Sequence, residues 1–482
     1  MTDLLVALVV LPILASASIT FAGWLRERTG WPMAVLALLG QTALAATVTV
    51  GVLERGRASH TIGGFVPPYG IEFVADGLSV PFVVLVAGAS LAVLAYARET
   101  GPHSNPFYAL YLLLVAGLTG VCVTGDVFTL YVFLEISGLA AYGLVASASG
   151  GDAALAALKY LLVGTVGATF YLLGVGYLYA ATGTLNMAAL AATLSAESTL
   201  TVVAFGCVVL GLAVKMALFP LHVWKPDAYE HAPWAVSVLL AALVSTVAGY
   251  ALIRLTYGVF TVRFFAANPL VDEVLIAGAC VSVLAGGILA FRQQSVSRLF
   301  AYSSITQFGL ATLGIALGTV PAVVGAAVQL LGHGVMKGGL FAAAGVIETR
   351  TRASTVDAYA GRSEDAPFAS GALAVIACGL VGIPPTVGFV AKWYLAVGAL
   401  EADSLFVFGV VLASTFLSLT YFGRLVQRLY VDAPEQTPEL ERISTGMSGV
   451  VIGAAAATVL LGLFGFALAS FAQPAVSHLL HP

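Results

Sequence analysis

The chain has 482 residues, of which 60% are hydrophobic and only 9% are charged, and its mean hydropathy is +1.00. Soluble domains carry about 25% charged residues, so this composition excludes a soluble globular protein, and the apolar excess excludes a disordered one. The net charge of −4, with no run of basic residues, argues against nucleic-acid binding, and we predict an all-α polytopic membrane protein.

Fourteen stretches of the chain approach the length of about 20 apolar residues that a membrane-spanning helix needs. They are continuously apolar, whereas the strands of a membrane barrel alternate, which excludes a barrel. Asp3 stands where a signal peptide would carry positive charge, so we expect the first stretch to be a retained span. The predicted spans are 3–23, 31–53, 73–97, 108–124, 127–148, 156–181, 200–223, 234–259, 270–291, 298–319, 321–347, 367–400, 404–430 and 446–472.

Prolines interrupt two of these regions. Pro384 and Pro385 divide the overlong twelfth run, and Pro220, Pro226 and Pro233 follow closely on the seventh. Interrupted helices at corresponding places in two halves indicate inverted repeats around an ion path near the middle of the membrane. We therefore predict helices 1–3 in residues 1–107, a first five-helix repeat in 108–260, a second in 261–430, and a C-terminal loop and helix in 431–482.

Basic residues are distributed unequally between the two sets of loops, with thirteen after odd-numbered spans and four on the opposite side. Because cytoplasmic loops carry the excess of Lys and Arg, we predict that the odd loops are cytoplasmic and that both termini lie outside the cell membrane. The thirteen are Arg26, Arg28, Arg98, Lys159, Lys225, Arg292, Arg298, Arg350, Arg352, Arg362, Arg424, Arg428 and Arg442, and the four are Arg55, Arg57, Arg254 and Arg263.

Four charged residues fall inside predicted spans: Glu135, Lys215, Lys337 and Lys392. A charge at the centre of the bilayer costs about 2.5–3.5 kcal/mol on insertion scales. Such charges are either buried ion pairs that fix helix packing or groups that carry ions. Four of them on four separate spans favour the second interpretation, because a purely structural role needs only one pair.

The spacing of these residues suggests which of them cooperate. Glu135, on the fifth span, and Lys215, on the seventh, are oppositely charged, and pairing would stabilise the charged form of each. His333 and Lys337 are four residues apart and share one helix face. His222 is either a proton relay or a ring bonded to a carbonyl group, and the sequence favours neither.

Other polar residues give weaker signals. Asp126 begins the fifth span, which favours a helix cap over an ion entrance. Asp227, Glu230 and His231 lie between prolines and indicate a solvated turn or the mouth of a channel. The cysteines Cys122, Cys207, Cys280 and Cys378 are widely separated and are interpreted as packing residues. No nucleotide, haem, zinc or iron–sulfur motif is present, so we predict no cofactor and no catalytic site within the chain.

Four sequence stretches carry a resemblance to a known family: KMALFPLHVWKPDAYEHAPWAVS (215–237), RLFAYSSITQFG (298–309), GHGVMKGGLF (332–341) and GIPPTVGFVAK (382–392). They resemble the antiporter-like subunits of respiratory complex I and of Mrp sodium/proton antiporters. The first is very specific, and the resemblance extends over nearly the whole chain. Within the family, the sequence is most similar to the D-type chain of the Mrp antiporters.

The resemblance implies a proton channel of two inverted five-helix repeats, joined by charged residues along the middle of the membrane. The charged residues of the family match Glu135, Lys215, His333, Lys337 and Lys392. One departure is plain, because the lysine expected on the eighth span is Thr246, whose hydroxyl bridges to water but carries no charge. The acid and lysine expected before the tenth span are replaced by Ser295 and Ser297.

These features predict a subunit that translocates protons within a multisubunit Mrp-type Na⁺/H⁺ antiporter. We expect other membrane subunits as partners, and protons and Na⁺ as the transported ions. The alternatives are a proton-pumping subunit of a complex I-like oxidoreductase or membrane-bound hydrogenase, and a scaffold with an inactive channel, which Thr246 slightly favours. The proton-transfer residues expected are Glu135, Lys215, His333, Lys337 and Lys392, with His222 and Thr246 as further relays.

Overall fold

The computed structural model describes residues 2–26, 28–433 and 440–481, so part of the predicted loop before the fourteenth span lies outside the described residues. Within them, thirteen helices are long and apolar enough to cross a membrane, and a fourteenth crossing is divided into two shorter helices. The predicted all-α polytopic fold is confirmed. The spans are Asp3–Leu25, Gly30–Arg55, Ser79–Thr100, Asn105–Val123, Val127–Val145, Gly151–Thr182, Thr199–Met216, Trp234–Ala267, Pro269–Phe291, Val296–Leu317, Val320–Thr351, the pair Pro367–Val381 and Val387–Glu401, Leu405–Tyr430 and Thr445–Leu463.

Both predicted helix breaks are present. The seventh span ends at Met216, and Ala217 caps it in the left-handed conformation, with φ of 60°. The chain then turns into a short connecting helix, Lys225–His231, before the eighth span begins. The twelfth span is broken between Val381 and Val387, around the two prolines. A proline has no amide hydrogen to donate and disfavours helical geometry in the residue before it, which explains both positions.

The fourth to eighth and the ninth to thirteenth spans follow the same order of helix types. The third helix of each series has 32 residues, Gly151–Thr182 in the first and Val320–Thr351 in the second. The fourth helix of each series is the broken one. Because a series of five crossings ends on the side opposite to its start, the second series runs through the membrane in the inverted direction.

Some predicted boundaries were wrong. The third span begins at Ser79 rather than at residue 73, because Glu72–Ala75 forms an antiparallel hairpin with Ala58–Thr61. The last span ends at Leu463, and a separate helix, Gly465–Leu480, follows it. Hydropathy alone does not distinguish a short buried strand, or two adjoining helices, from the continuation of one span.

The interior of the molecule is formed by the eighth, tenth and eleventh spans, whose most apolar windows are 100%, 94% and 94% buried. The first and fourteenth spans are only 33% and 22% buried, which is typical of helices that face lipid or partner chains. The eighth span also contains two π-helical segments, Leu240–Val244 and Thr256–Phe260. Such segments frequently mark functional positions in helices.

Charged residues from distant parts of the chain pair in two separate groups. Lys159, Asp227 and Arg298 come from loops that the sequence placed on one side, and they form a single ion-pair network. On the opposite side, Arg254 lies 2.6 Å from Asp76. The charges of each side therefore pair with one another across loops that are distant in sequence.

Candidate functional site

The buried acid of the fifth span contacts the buried lysine of the seventh. The Nζ of Lys215 donates to Oε1 of Glu135 at 2.8 Å and to the hydroxyl of Tyr142 at 3.3 Å. Gly138 makes room for this ammonium group, since a Cβ there would lie 3.0 Å from the nitrogen. A cavity of about 10 Å³, close to the size that holds one water molecule, is lined by both charged residues.

The eighth span connects this pair to the eleventh span. Its Ser245 donates to the backbone oxygen of Lys215 at 2.9 Å, and the next residue, Thr246, lies 3.4 Å from Nδ1 of His333 through its hydroxyl. The Nε2 of His333 is buried and has no hydrogen-bond partner among the residues that the structure describes. A buried nitrogen of this kind is a natural contact for a water molecule.

Lys337 lies one turn after His333 and is completely buried. Its Nζ donates to the backbone oxygen of Phe300 at 2.9 Å and to the hydroxyl of Ser303. No carboxylate of residues 2–26, 28–433 or 440–481 forms an ion pair with it. Its amine is held only by neutral acceptors, so its charge is less firmly fixed than that of Lys215.

Two glutamines extend the polar chain towards the broken twelfth span. Gln329, one turn before His333, donates to Gln307 at 2.6 Å, and Gln307 donates to the backbone oxygen of Leu380 at 3.4 Å. At the neighbouring carbonyl, Lys392 donates to Val381 at 2.8 Å. Lys392 also donates to Thr415 of the thirteenth span at 3.1 Å.

Lys225 lies in the connection after the seventh span, as predicted, but its side chain does not reach the surface. Its side chain is completely buried, with Nζ 3.2 Å from the backbone oxygen of Met216 and 4.4 Å from the ring centroid of Phe308. The break in the seventh span folds the chain back, so that a residue outside the apolar run enters the interior. Without Lys225, twelve basic residues remain on the predicted cytoplasmic side against four.

The remaining predicted residues have simpler surroundings. Asp126 caps the fifth span as predicted, accepting from the amide of Thr129 at 2.6 Å. The ring of His222 stacks on Phe219, with centroids 5.2 Å apart, and its Nδ1 is buried without a hydrogen-bond partner in the described part of the chain. Neither residue is hydrogen-bonded to the chain of buried charges.

On the connecting helix, Asp227 lies 2.7 Å from Lys159 and 3.0 Å from Arg298. Glu230 lies 2.8 Å from the same arginine. Burial alone would raise the pKa of Asp227, but the two cations outweigh it and hold the pKa of this carboxyl below its usual 3.8. The connecting helix is therefore fixed to the sixth and tenth spans by a network that is charged at neutral pH.

This network predicts an acid-sensitive contribution to stability. A carboxyl whose pKa is lowered in the folded state stabilises that state above its unfolded pKa, and the contribution disappears as the pH falls through the folded pKa. We expect the apparent unfolding temperature to drop on acidification from about pH 5 to about pH 3 by less in Asp227→Asn than in the wild type. Thermal unfolding of the detergent-purified complex measures this, and equal drops would contradict the prediction.

The buried residues thus form a discontinuous series of amine, imidazole, amide and hydroxyl groups across the middle of the molecule. The amines and the imidazole can take up and release a proton, whereas the amides and hydroxyls form hydrogen bonds between them. Sequence analysis missed Lys225, Gln307, Gln329 and Tyr142. The glutamines were detectable as uncharged polar residues inside predicted spans, whereas the burial of Lys225 depends on the fold of the broken seventh span.

The fold and the site together define a membrane subunit with two broken helices and a buried series of ionisable groups. Residues 124–418 match the family described as NADH:quinone oxidoreductase/Mrp antiporter, transmembrane region. This chain belongs to that family. It is therefore an antiporter-like membrane subunit of the Mrp or complex I type.

Individual relatives come from both branches of the family. The N-type chain of the NADH-quinone oxidoreductase of Desulforudis audaxviator is 43% identical over 420 residues, covering 85% of this chain and 82% of that protein. The D-type chain of the Na⁺/H⁺ antiporter of Bacillus subtilis is 30% identical over 439 residues, covering 89% and 88%. A chain in the structure of the Mrp complex from Dietzia sp. DQ12-45-1b superposes with a TM-score of 0.92 at 26% identity, covering 100% of this chain and 98% of that chain.

Proposed function

We propose that this chain translocates protons through the membrane along Glu135, Lys215, His333, Lys337 and Lys392, as one subunit of a multisubunit complex. The observation that carries the proposal is the 2.8 Å ion pair between Glu135 and Lys215 at the broken seventh span. This pair stands at one end of a series of buried lysines. The other two lysines of the path, Lys337 and Lys392, form no ion pair with any of the described residues. An ion-pair scaffold would need acids beside the other lysines, so the excess of buried lysines over paired acids supports a transport role.

Proton movement in this proposal is an electrostatic switch. While Glu135 contacts Lys215, the amine keeps its proton, and when the carboxylate is screened or displaced, burial favours the neutral amine and the proton leaves. Thr246, His333 and intervening water pass the proton on to Lys337, and the polar chain of Gln329 and Gln307 continues towards Lys392. Moving one charge through about 100 mV involves about 2.3 kcal/mol, comparable with a change of one or two pKa units at 1.36 kcal/mol each.

For the assembly, we propose an Mrp-type Na⁺/H⁺ antiporter in the plasma membrane, with both termini outside. The TM-score of 0.92 to a chain of the Dietzia Mrp complex supports this assembly, and the predominance of basic residues on one side supports the orientation of the termini. The described residues contain no cluster of three or more His, Cys, Asp or Glu side chains that could hold a metal ion. We therefore assign the Na⁺ path to a partner subunit.

A second candidate is a proton-pumping subunit of a complex I-like oxidoreductase. The observation that favours it is the 43% identity to the N-type oxidoreductase chain, against 30% to the D-type antiporter chain. In such an assembly, redox centres on partner chains would drive the same buried charges. The proton path is common to both candidates, and they differ only in what is coupled to it.

Proton flux in reconstituted vesicles tests the proposal. The complex purified through this chain is reconstituted with a pH-sensitive dye inside, and the response to a Na⁺ gradient is measured without an electron donor. We expect Lys337→Met to lower the proton flux at least about tenfold, because the methionine side chain cannot bind a proton. A tenfold change in a proton-binding equilibrium corresponds to one pKa unit. Arg57→Met, at an arginine whose side chain is 54% exposed, serves as the control and is expected to retain the flux.

The outcomes separate the two candidates. Na⁺-driven flux without a donor supports the antiporter, whereas flux that requires an electron donor and quinone supports the oxidoreductase. Equal flux in the wild type and in Lys337→Met, with the complex intact in both, would refute the proton path itself.

A further inference from the structure

The buried lysine on the connecting helix, Lys225, stands between the two groups of the proposed path. Its Nζ lies 4.4 Å from the ring centroid of Phe308, and the imidazole of His333 packs on the same ring with its centroid also at 4.4 Å. On its other side, Lys225 donates to the carbonyl of Met216, the residue after Lys215. It therefore links the end of the seventh span to the histidine of the eleventh.

No acid among the residues that the structure describes balances the amine of Lys225 in the interior. Within the described residues, no carboxylate forms an ion pair with Lys225, although Asp227 lies two residues away. The difference arises because Asp227 points to the surface and pairs with Lys159 and Arg298, whereas Lys225 points inward.

The local fold explains how this lysine is held. Trp224 donates its indole N–H to the backbone oxygen of Val214 at 2.9 Å and stacks flat on Tyr160, with centroids 4.0 Å apart. This anchors the start of the connecting helix against the end of the seventh span. Lys225 is then surrounded by the rings of Phe308, Trp224 and Tyr229 at 4.4–5.6 Å, whose faces stabilise a cation without fixing its proton.

We propose that Lys225 carries the proton between the Lys215 group and the His333–Lys337 group, a role that rests on the proton path proposed above. The eighth span offers only hydroxyl groups at this point, Ser245 and Thr246. In the transfer step, the Lys225 ammonium gives a proton to His333 through water and becomes a neutral amine, and it regains a proton from the side of Lys215. A lysine outside the apolar spans thus supplies the ionisable group between the two halves.

Two substitutions at Lys225 test this role in the reconstituted complex. Lys225→Met keeps the length of the side chain and removes the amine, and Lys225→Arg keeps a positive charge that does not release its proton. We expect both variants to copurify with their partner subunits and to lower the proton flux at least about tenfold, the equivalent of one pKa unit or more. Arg57→Met, which removes an exposed cation away from the connecting helix, is the control variant.

The assembly and the proton flux of the two Lys225 variants decide whether this lysine carries a proton. Full flux in Lys225→Met overturns the inference, and so does full flux in Lys225→Arg, because a charge that only supports packing is supplied by arginine. Failure of both variants to assemble would also overturn it, since the role would then be structural. If Lys225→Met retains flux while Lys337→Met loses it, only this inference fails, whereas retention in both refutes the proton path itself.

Discussion

Replacing Glu135 by glutamine is expected to lower proton flux through the reconstituted complex at least about tenfold, the equivalent of one pKa unit or more. The carboxylate lies 2.8 Å from Lys215, and both side chains are largely buried. Glutamine fills the same space and still accepts a hydrogen bond, but its amide carries no charge. Lys215 then loses the only carboxylate paired with it in the described residues, and burial favours its neutral form, so the switch has only one state.

A second substitution separates this effect from loss of folding. Removing one partner of a buried ion pair destabilises proteins by about 3–5 kcal/mol, whereas replacing both by neutral groups is often harmless. We therefore expect Glu135→Gln/Lys215→Met to recover the unfolding temperature of the wild type in detergent while its proton flux stays low. Recovery of flux in the double variant would show that the pair fixes packing and carries no proton.

Much of the fold was predictable from the sequence because the membrane imposes simple rules. Apolar length gave fourteen crossings, and the prolines near Lys215 and Lys392 gave the two broken helices. The hairpin at 58–75 was missed because the apolar residues of a short strand are indistinguishable from the start of a span. The division after Leu463 was missed for the same reason, since the apolar run continues into the last helix.

The candidate site was less predictable, because proximity between spans is not encoded locally. Charge complementarity suggested the Glu135–Lys215 pair, and the four-residue spacing placed His333 and Lys337 on one face. The contact between Thr246 and His333 depends on how the eighth and eleventh spans pack. The burial of Lys225 was missed because its neighbours in sequence are polar, whereas the break after the seventh span turns its side chain inward.

The two broken helices place their lysines differently. Lys215 lies in the last turn of the seventh span and is paired with an acid. Lys392 lies in the second helix of the divided twelfth span and contacts Val381 across the break. The position of Lys392 is therefore set by how the two halves of its own span approach each other. Any change at that junction should act on this amine before it acts on Lys215.

Gly388 is the residue that permits this approach. A Cβ there would lie 1.9 Å from the backbone oxygen of Gly379, in the last turn of the preceding half-helix. Because the clash is with backbone, the two halves must separate to accommodate it. We expect Gly388→Ala to destabilise the fold by about 3 kcal/mol, at the upper end of the usual range for overpacking, and to break the 2.8 Å contact of Lys392 with Val381.

The matched control is Gly409→Ala on the thirteenth span, where a Cβ would meet no atom of the described residues within 4 Å. There the added methyl group should be neutral or stabilise the helix by about 0.5–1 kcal/mol, because alanine loses less conformational freedom than glycine. Unfolding temperatures of both variants in detergent, measured with proton flux, give the comparison. If Gly388→Ala unfolds like Gly409→Ala and carries protons normally, the close contact across the broken twelfth span does not position Lys392.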